Sequence, residues 1–123
     1  MALRESTTLF LPERHAYDET ILDRIEDITL LVGGRTQSEA SGSWHSPANR
    51  KVVRERLLLV TWWHGASDTK GVESAMAGLV HLLIDRGEES IAVETRRVHL
   101  GNNVLHQITK LHFFAEGDAV IFQ

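Results

Sequence analysis

The stretch VVRERLLLVTWWH, residues Val52–His64, decides the fold that this sequence predicts. Its middle, Leu57-Leu58-Leu59-Val60, is apolar on both of the faces to which the side chains of a β-strand alternate. A strand that is buried on both faces lies inside a sheet rather than at its edge. We therefore expect Val52–His64 to be a central strand with a cover on each side.

The segments that precede it predict a strand followed by a helix. Residues 7–11 are rich in apolar side chains and stop at Pro12, which is typical of a short strand. From Tyr17 to Val32 apolar residues recur at spacings of three and four, the period of a helix with one buried stripe. Gly33-Gly34 ends this helix, because glycine accepts the left-handed backbone conformation.

Residues 35–45 form the predicted neighbour of the central strand. They are mostly polar and contain Gly42, features typical of an edge strand. The turn signal Ser46-Pro47-Ala48-Asn49 then joins them to Val52–His64 as a hairpin.

The second half of the chain repeats the pattern of helix and strand. A helix is predicted over residues 69–86 and a strand over residues 90–100. The order βαββαβ, with right-handed crossovers, gives an antiparallel sheet with both helices on one face, which is the ferredoxin-like arrangement of the α+β class. We expect this core to span residues 6–100. Residues 101–123 then add a C-terminal hairpin, between 111–114 and 119–122, or an arm that pairs with another subunit.

The composition is that of a single globular domain. The chain has 123 residues, of which 42% are hydrophobic, and it has no cysteine, so disulfides, thiolate catalysis and cysteine zinc sites are excluded. A net charge of -4 disfavours nucleic acid as a partner. Neither a signal segment after Met1 nor an apolar run of about 20 residues is present, so we expect a cytoplasmic protein without a membrane partner.

Two helices on one face leave the other face of the sheet without a cover. Both side-chain sets of Val52–His64 are apolar in the middle, so the second face needs a ligand, a partner or the chain's own tail. A two-fold homodimer is the commonest solution, and we expect one. A protein partner or a small anionic ligand on that face is the other expectation.

Short motifs on the hairpin carry a resemblance to known families. The segments are Gly42-Ser43-Trp44-His45, Val53-Arg54-Glu55-Arg56 and Leu57-Leu58-Leu59-Val60. They are similar to an uncharacterised ferredoxin-like family that has a Gly-x-Trp strand and a central strand bearing Arg-Glu. The order of elements also resembles the dimeric α+β barrel proteins, which include small monooxygenases, isomerases and proteins without known activity. The resemblance implies the fold and a dimer.

The hairpin also gathers most of the side chains that are suited to chemistry: Trp44, His45, Arg54, Glu55, Arg56, Trp62, Trp63 and His64. In an enzyme, Glu55 would be the base, Arg56 would hold an anionic group and His64 would be the acid, with tryptophans as apolar walls. The alternative is ordinary cross-strand pairing, with the tryptophans as core or dimer contacts.

Other motifs argue against metals, cofactors and a nucleophilic serine. Five histidines lie on or near predicted strands, but none has the spacing of a metal pair, so no metal and no cofactor are expected. The Ser41-Gly42-Ser43 segment lacks the second glycine and the following helix of a nucleophile elbow. A basic group of Arg50, Lys51, Arg54, Arg56, Arg96 and Arg97 is the remaining candidate for binding an anion.

Three functions stay open on these observations. The first, which we favour because no motif demands chemistry, is a binding or interaction protein that uses the open sheet face or the C-terminal arm. The second is a small cofactor-independent enzyme, isomerase-like or monooxygenase-like, with its pocket at the sheet. The third is a sensor that binds an anion or a nucleotide through the arginines.

Overall fold

The strand predicted over Val52–His64 lies inside a five-stranded sheet, between two neighbours. A computed structural model describes residues 4–122, so residues 1–3 and Gln123, which the predictions for the two ends include, lie outside the described residues. The strands are β1 (Glu5–Pro12), β2 (Thr36–His45), β3 (Val52–His64), β4 (Ser90–Gly101) and β5 (Val104–Ala115). The helices are α1 (Glu19–Val32) and α2 (Thr69–Asp85).

The sheet has the order β2-β3-β1-β4-β5, and every pair of neighbours is antiparallel. Both helices pack on one face of it and share one core with the strands. The predicted α+β class is therefore confirmed, and the order of the first four strands is compatible with the ferredoxin-like description. None of the helices between residues 4 and 122 is long and apolar enough to cross a membrane.

Each helix begins and packs as its sequence pattern indicates. Asp18 caps α1, since its carboxylate accepts hydrogen bonds from Thr20 N at 3.0 Å and Ile21 N at 3.4 Å. Gly33 ends α1 in the left-handed region, with a φ of 96°. The apolar stripes of the two helices are fully buried between them and the sheet: Ile21, Ile25 and Ile28 on α1, and Val72, Met76, Leu79, Val80 and Leu83 on α2.

Strand register divides the side chains between two faces, because residues directly opposite one another point to the same side. On the helix face lie Val60 and Trp62 of β3, which are fully buried. On the open face, Leu59 lies opposite Phe10 of β1, and Phe10 lies opposite Ala92 of β4. The open face is therefore apolar across its centre, as the two-sided pattern of β3 predicted.

The C-terminal tail differs from one predicted detail. Residues 104–115 form a hairpin with β4 across the turn at Asn102 and Asn103, so β5 widens the sheet. The predicted pairing of 111–114 with 119–122 is wrong, because residues 119–122 are not a strand. Phe122 instead folds back against Phe114 and His112, with ring centroids 5.3 Å apart in each pair. The apolar spacing of 119–122 reflects this packing against the core.

Candidate ligand site on the open sheet face

A cleft of about 330 Å³ lies on the open face of the sheet. All five strands contribute to its lining, which is largely apolar and aromatic. The lining residues are Phe10, Pro12, Ala40, Ser41, Gly42, Ser43, Trp44, Glu55, Leu57, Leu59, Ser90, Ala92, Leu111 and Phe113. Its size and apolar walls are those of a small-molecule site.

Gly42 makes room for the cleft on the edge strand. It lies directly opposite Glu55, where any side chain would point into the same space. A Cβ added at Gly42 would lie 3.0 Å from Leu57 Cδ1, which is closer than side chains normally approach. The glycine that predicted an edge strand therefore also opens the site.

Glu55 is the only ionisable residue among the described residues that line this cleft. Burial raises its pKa above the ordinary value of 4.5, and the negative charge of Glu88 raises it further. Arg14, the indole of Trp44 and His15 oppose that rise without cancelling it. Within residues 4–122, no cation lies within ion-pair distance of the Glu55 carboxylate. Glu55 is therefore a half-buried acid without an ion-pair partner among the described residues.

Trp44 is the second distinctive residue of the cleft. Its indole Nε1 is buried and meets no acceptor in hydrogen-bonding geometry among the described residues. The indole is nonetheless near enough to Glu55 to lower the pKa of that carboxyl group. A buried donor without an acceptor is rare in native proteins and is often satisfied by a ligand or water.

Arg14, His15 and Glu88 form a charged cluster beside the Glu55 end of the cleft. Glu88 is buried and accepts hydrogen bonds from Arg14 Nη2, at 2.7 Å to Oε2, and lies 3.1 Å from His15 Nε2. An open cavity of about 440 Å³ adjoins it and is lined by Arg14 and Glu55, among others. The sequence pattern does not reveal this cluster, because Arg14 and His15 lie in the short 3-10 helix after β1 and Glu88 lies before β4, more than seventy residues along the chain.

The residues predicted for the site divide between the two faces. Trp44, Glu55 and Trp63 lie on the open face, with Trp63 at the far end from Glu55. His45, Arg54 and Arg56 belong to the alternate set and are exposed, and Arg56 pairs with Glu13 at 3.3 Å. The structure thus joins Trp44 to Glu55 at the cleft, and brings Arg56 to its neighbouring cavity.

Trp62 and His64 point away from the cleft, into the helix side of the sheet. Trp62 is fully buried and donates a hydrogen bond from Nε1 to Thr29 Oγ1 at 3.0 Å. His64 is buried too, with Nε2 3.1 Å from Thr7 Oγ1 and Nδ1 3.2 Å from Gly65 O. Glu55 and His64 therefore do not meet as a base and an acid. Between residues 4 and 122, no three histidine or acidic side chains are grouped to hold a metal ion.

Comparison with known proteins finds likeness in structure only. The sequence matches no known family profile and no curated protein. A phage SAM lyase in complex with S-methyl-5'-thioadenosine is 14% identical, with a TM-score of 0.56 over 91% of this chain and 89% of that chain. The same phage enzyme in its apo state has a TM-score of 0.53 at 14% identity, over 94% and 91%. The likeness extends over nearly the whole of both chains and shows a shared fold.

Proposed function

We propose that this protein is an enzyme that binds a sulfonium nucleoside in the open-face cleft and cleaves its carbon–sulfur bond, with S-adenosylmethionine as the first compound to test. The observation that carries the proposal is Glu55, a half-buried carboxylate with no cationic partner within residues 4–122, at one end of a cleft with aromatic walls. Burial of such a charge is costly unless a counter-charge arrives. A ligand that carries a positive charge would supply it.

The walls of the cleft fit the rest of such a ligand. Trp44 and Phe113 offer aromatic faces, on which a cation gains about 0.5–2 kcal/mol and a nucleobase can stack. Leu57, Leu59 and Ala92 give the floor an apolar character suited to a methylene chain. A compound that joins an aromatic base to a sulfonium through a short chain matches all three features.

The structural likeness supports the choice of compound. The phage protein that shares this fold is a SAM lyase, solved with S-methyl-5'-thioadenosine bound. At 14% identity the likeness is one of fold, so the choice of S-adenosylmethionine depends on the cleft's own chemistry as well.

Glu55 would act as the base of an elimination. Its carboxylate takes a proton from the carbon next to the one bonded to sulfur, and the electron pair of that C–H bond becomes a carbon–carbon double bond. The C–S bonding pair leaves with sulfur, which becomes a neutral thioether, and Glu55 returns its proton to water. A raised pKa makes Glu55 a stronger base than an ordinary glutamate.

The test is product formation with matched variants. The protein is incubated with S-adenosylmethionine, and S-methyl-5'-thioadenosine is measured by chromatography. We expect Glu55→Gln to lower the rate at least about 100-fold, the usual share of a general base. Glu94→Gln, on the same face but outside the cleft, serves as control and should keep the rate. No thioether from the natural protein, or an unchanged rate in Glu55→Gln, overturns the proposal.

Self-association through the open face is the second candidate. Leu111 and Phe113 line the cleft and yet are largely exposed, Phe113 at 66%. Five strands spaced about 4.8 Å apart, over strands about 35 Å long, give a face of roughly 800 Å², the area that each partner contributes to a standard interface. A second copy on this face would cover the apolar centre and roof the cleft, so the two candidates are compatible.

A further inference from the structure

We infer that a second cleft, at the end of the open face opposite to Glu55, binds a small aromatic anion of the nucleoside monophosphate class. This cleft has a volume of about 250 Å³. Its walls include Arg4, Arg35, the Gly33-Gly34 turn and the indole of Trp63. The inference does not depend on the function proposed for the Glu55 cleft.

Trp63 indicates that the ligand contains an aromatic ring. Its indole is 40% exposed, unlike that of Trp62 beside it in the chain. The guanidinium of Arg96 lies over the indole of Trp63, 5.4 Å from the ring centroid. This cation–π contact holds the indole in place. A fixed and exposed indole offers a surface on which a nucleobase can stack, worth about 1–3 kcal/mol per base.

Two arginines without an ion-pair partner among the described residues indicate that the ligand carries a negative charge. Arg4 has no carboxylate partner within residues 4–122. Arg96 has none either, and its Nε is buried without an acceptor among the described residues. Arg4 lines the cleft and Arg96 lies beside it over Trp63, so two cations without an ion-pair partner in the described chain are available at this end of the sheet. Guanidinium groups bind phosphate well because they donate two parallel hydrogen bonds.

Arg35 has a different part in this cleft. Its Nη1 lies 2.7 Å from Glu26 Oε1 and donates to Thr29 Oγ1 at 2.9 Å, while its Nε donates to Gln37 at 2.7 Å. These contacts hold the side chain in place as a rigid wall. Beside it, a Cβ placed on Gly34 would meet no atom within 4 Å, so the backbone there is open to a ligand.

Distance separates this cleft from the first. Glu55 and Trp63 are eight residues apart on one strand, a span of about 26 Å at 3.3 Å per residue. No small nucleotide reaches both.

The inference is tested with adenosine monophosphate by calorimetry on the full chain, at low and high salt. We expect measurable binding that weakens as salt rises, with adenosine and inorganic phosphate each at least tenfold weaker. Trp63→Leu should weaken binding about tenfold, and Arg4→Gln several-fold with a smaller salt dependence. Lys70→Gln, at an exposed cation on α2 on the other side of the sheet, is the matched control for Arg4→Gln and should bind like the natural protein.

Several calorimetric results would contradict the inference. No binding at millimolar adenosine monophosphate overturns the inference, and so does equal loss in Lys70→Gln and Arg4→Gln. Adenosine binding as tightly as its monophosphate would overturn the anionic part, and equally tight inorganic phosphate would overturn the aromatic part. Arg4 is exposed, so Arg4→Gln keeps the test valid if Trp63→Leu fails to fold.

Discussion

Trp62 and Trp63 are neighbours in the chain with opposite surroundings, since successive side chains of a strand point to opposite faces. Trp62 is 0% exposed and is bonded to Thr29 Oγ1, whereas Trp63 borders an open cleft. We expect Trp62→Ala to lower the free energy of unfolding by about 3–5 kcal/mol, because it leaves a large cavity. Trp63→Ala should cost about 1 kcal/mol, the value of an exposed cation–π contact. Urea denaturation measures both, and equal costs would contradict the assignment of faces.

Glu55 also makes a prediction about stability. Its pKa is raised in the fold by burial and by Glu88, so the unfolded chain binds fewer protons between 4.5 and that raised value. The fold therefore loses stability as pH rises through this window. Glu55→Gln removes the loss, and we expect its Tm at pH 7 to exceed that of the natural protein by about 1–3 °C. The difference should vanish near pH 4, where Glu55 is largely protonated in both the folded and the unfolded chain. A lower Tm of Glu55→Gln at pH 7 would contradict the absence of an ion-pair partner for Glu55.

At this scale the sequence predicted part of the site. The alternation of β3 separates Glu55 from His64, because positions an odd number apart point to opposite faces. That parity was available in the sequence, and it places Glu55 with Trp63 on one side and Trp62 with His64 on the other. The sequence did not predict that Glu88 and Arg14 lie near Glu55, because that proximity depends on how distant segments of the chain pack together.

Among the elements, α1 depends on one residue at its start. Asp18 accepts two backbone hydrogen bonds and also pairs with Arg86, which follows α2, at 2.5 Å. We expect Asp18→Ala to lower the free energy of unfolding by about 1 kcal/mol through loss of the cap. Asp18→Asn keeps the cap and loses only the ion pair, so it should cost about 0.5 kcal/mol or less. Equal costs in the two variants, measured by urea denaturation, would place the contribution in the ion pair instead.

Helices and strands were predicted well where the spacing of apolar residues agrees with the position of a capping or terminating residue. The stripe of α1 and its glycine stop gave both ends of that helix within two residues. The tail was predicted less well, because the apolar runs at 111–114 and 119–122 do not indicate which segment each of them packs against. In the structure, β5 pairs with the edge of β4, and the ring of Phe122 packs against the ring of Phe114.

On the scale of the whole molecule, the exposed apolar face predicts self-association. We expect light scattering to give a mass above that of one chain, and Phe113→Asp to move it toward one chain. Leu30→Asp is the matched control, since Leu30 is 81% exposed on α1, away from the open face. A single-chain mass for the natural protein at high concentration would contradict this expectation.

The polar network at the start of α2 predicts the response of the whole fold to acid. Burial opposes the ionised form of Glu5, but hydrogen bonds from Thr69 Oγ1 and Val98 N and the charge of Arg97 outweigh it and lower its pKa. Burial likewise lowers the pKa of His64. Each group therefore contributes stability that is complete above its pKa in the unfolded chain, which is 6.5 for His64 and 4.5 for Glu5. That stability is lost as the pH falls below this pKa.

We accordingly expect stability to decline from pH 7 to pH 5 and again below pH 4.5. His64→Gln should flatten the first decline and leave the second, with a residual slope from His112, whose pKa burial also lowers. Urea denaturation at pH 7, 6, 5 and 4 measures both steps. An unchanged first decline in His64→Gln would assign it to other histidines.

The division of the three tryptophans between core and open face also gives the molecule a built-in optical readout. Trp62 is sealed against solvent, so its emission should stay at short wavelength and resist acrylamide quenching until the core opens. Trp44 and Trp63 lie at the two opposite ends of the open face, so quencher reaches them in a folded single chain, whereas a second copy on this face would shield them. Single-tryptophan variants, with phenylalanine at the other two positions, would thus give separate signals for unfolding, for the Glu55 cleft and for the Trp63 cleft.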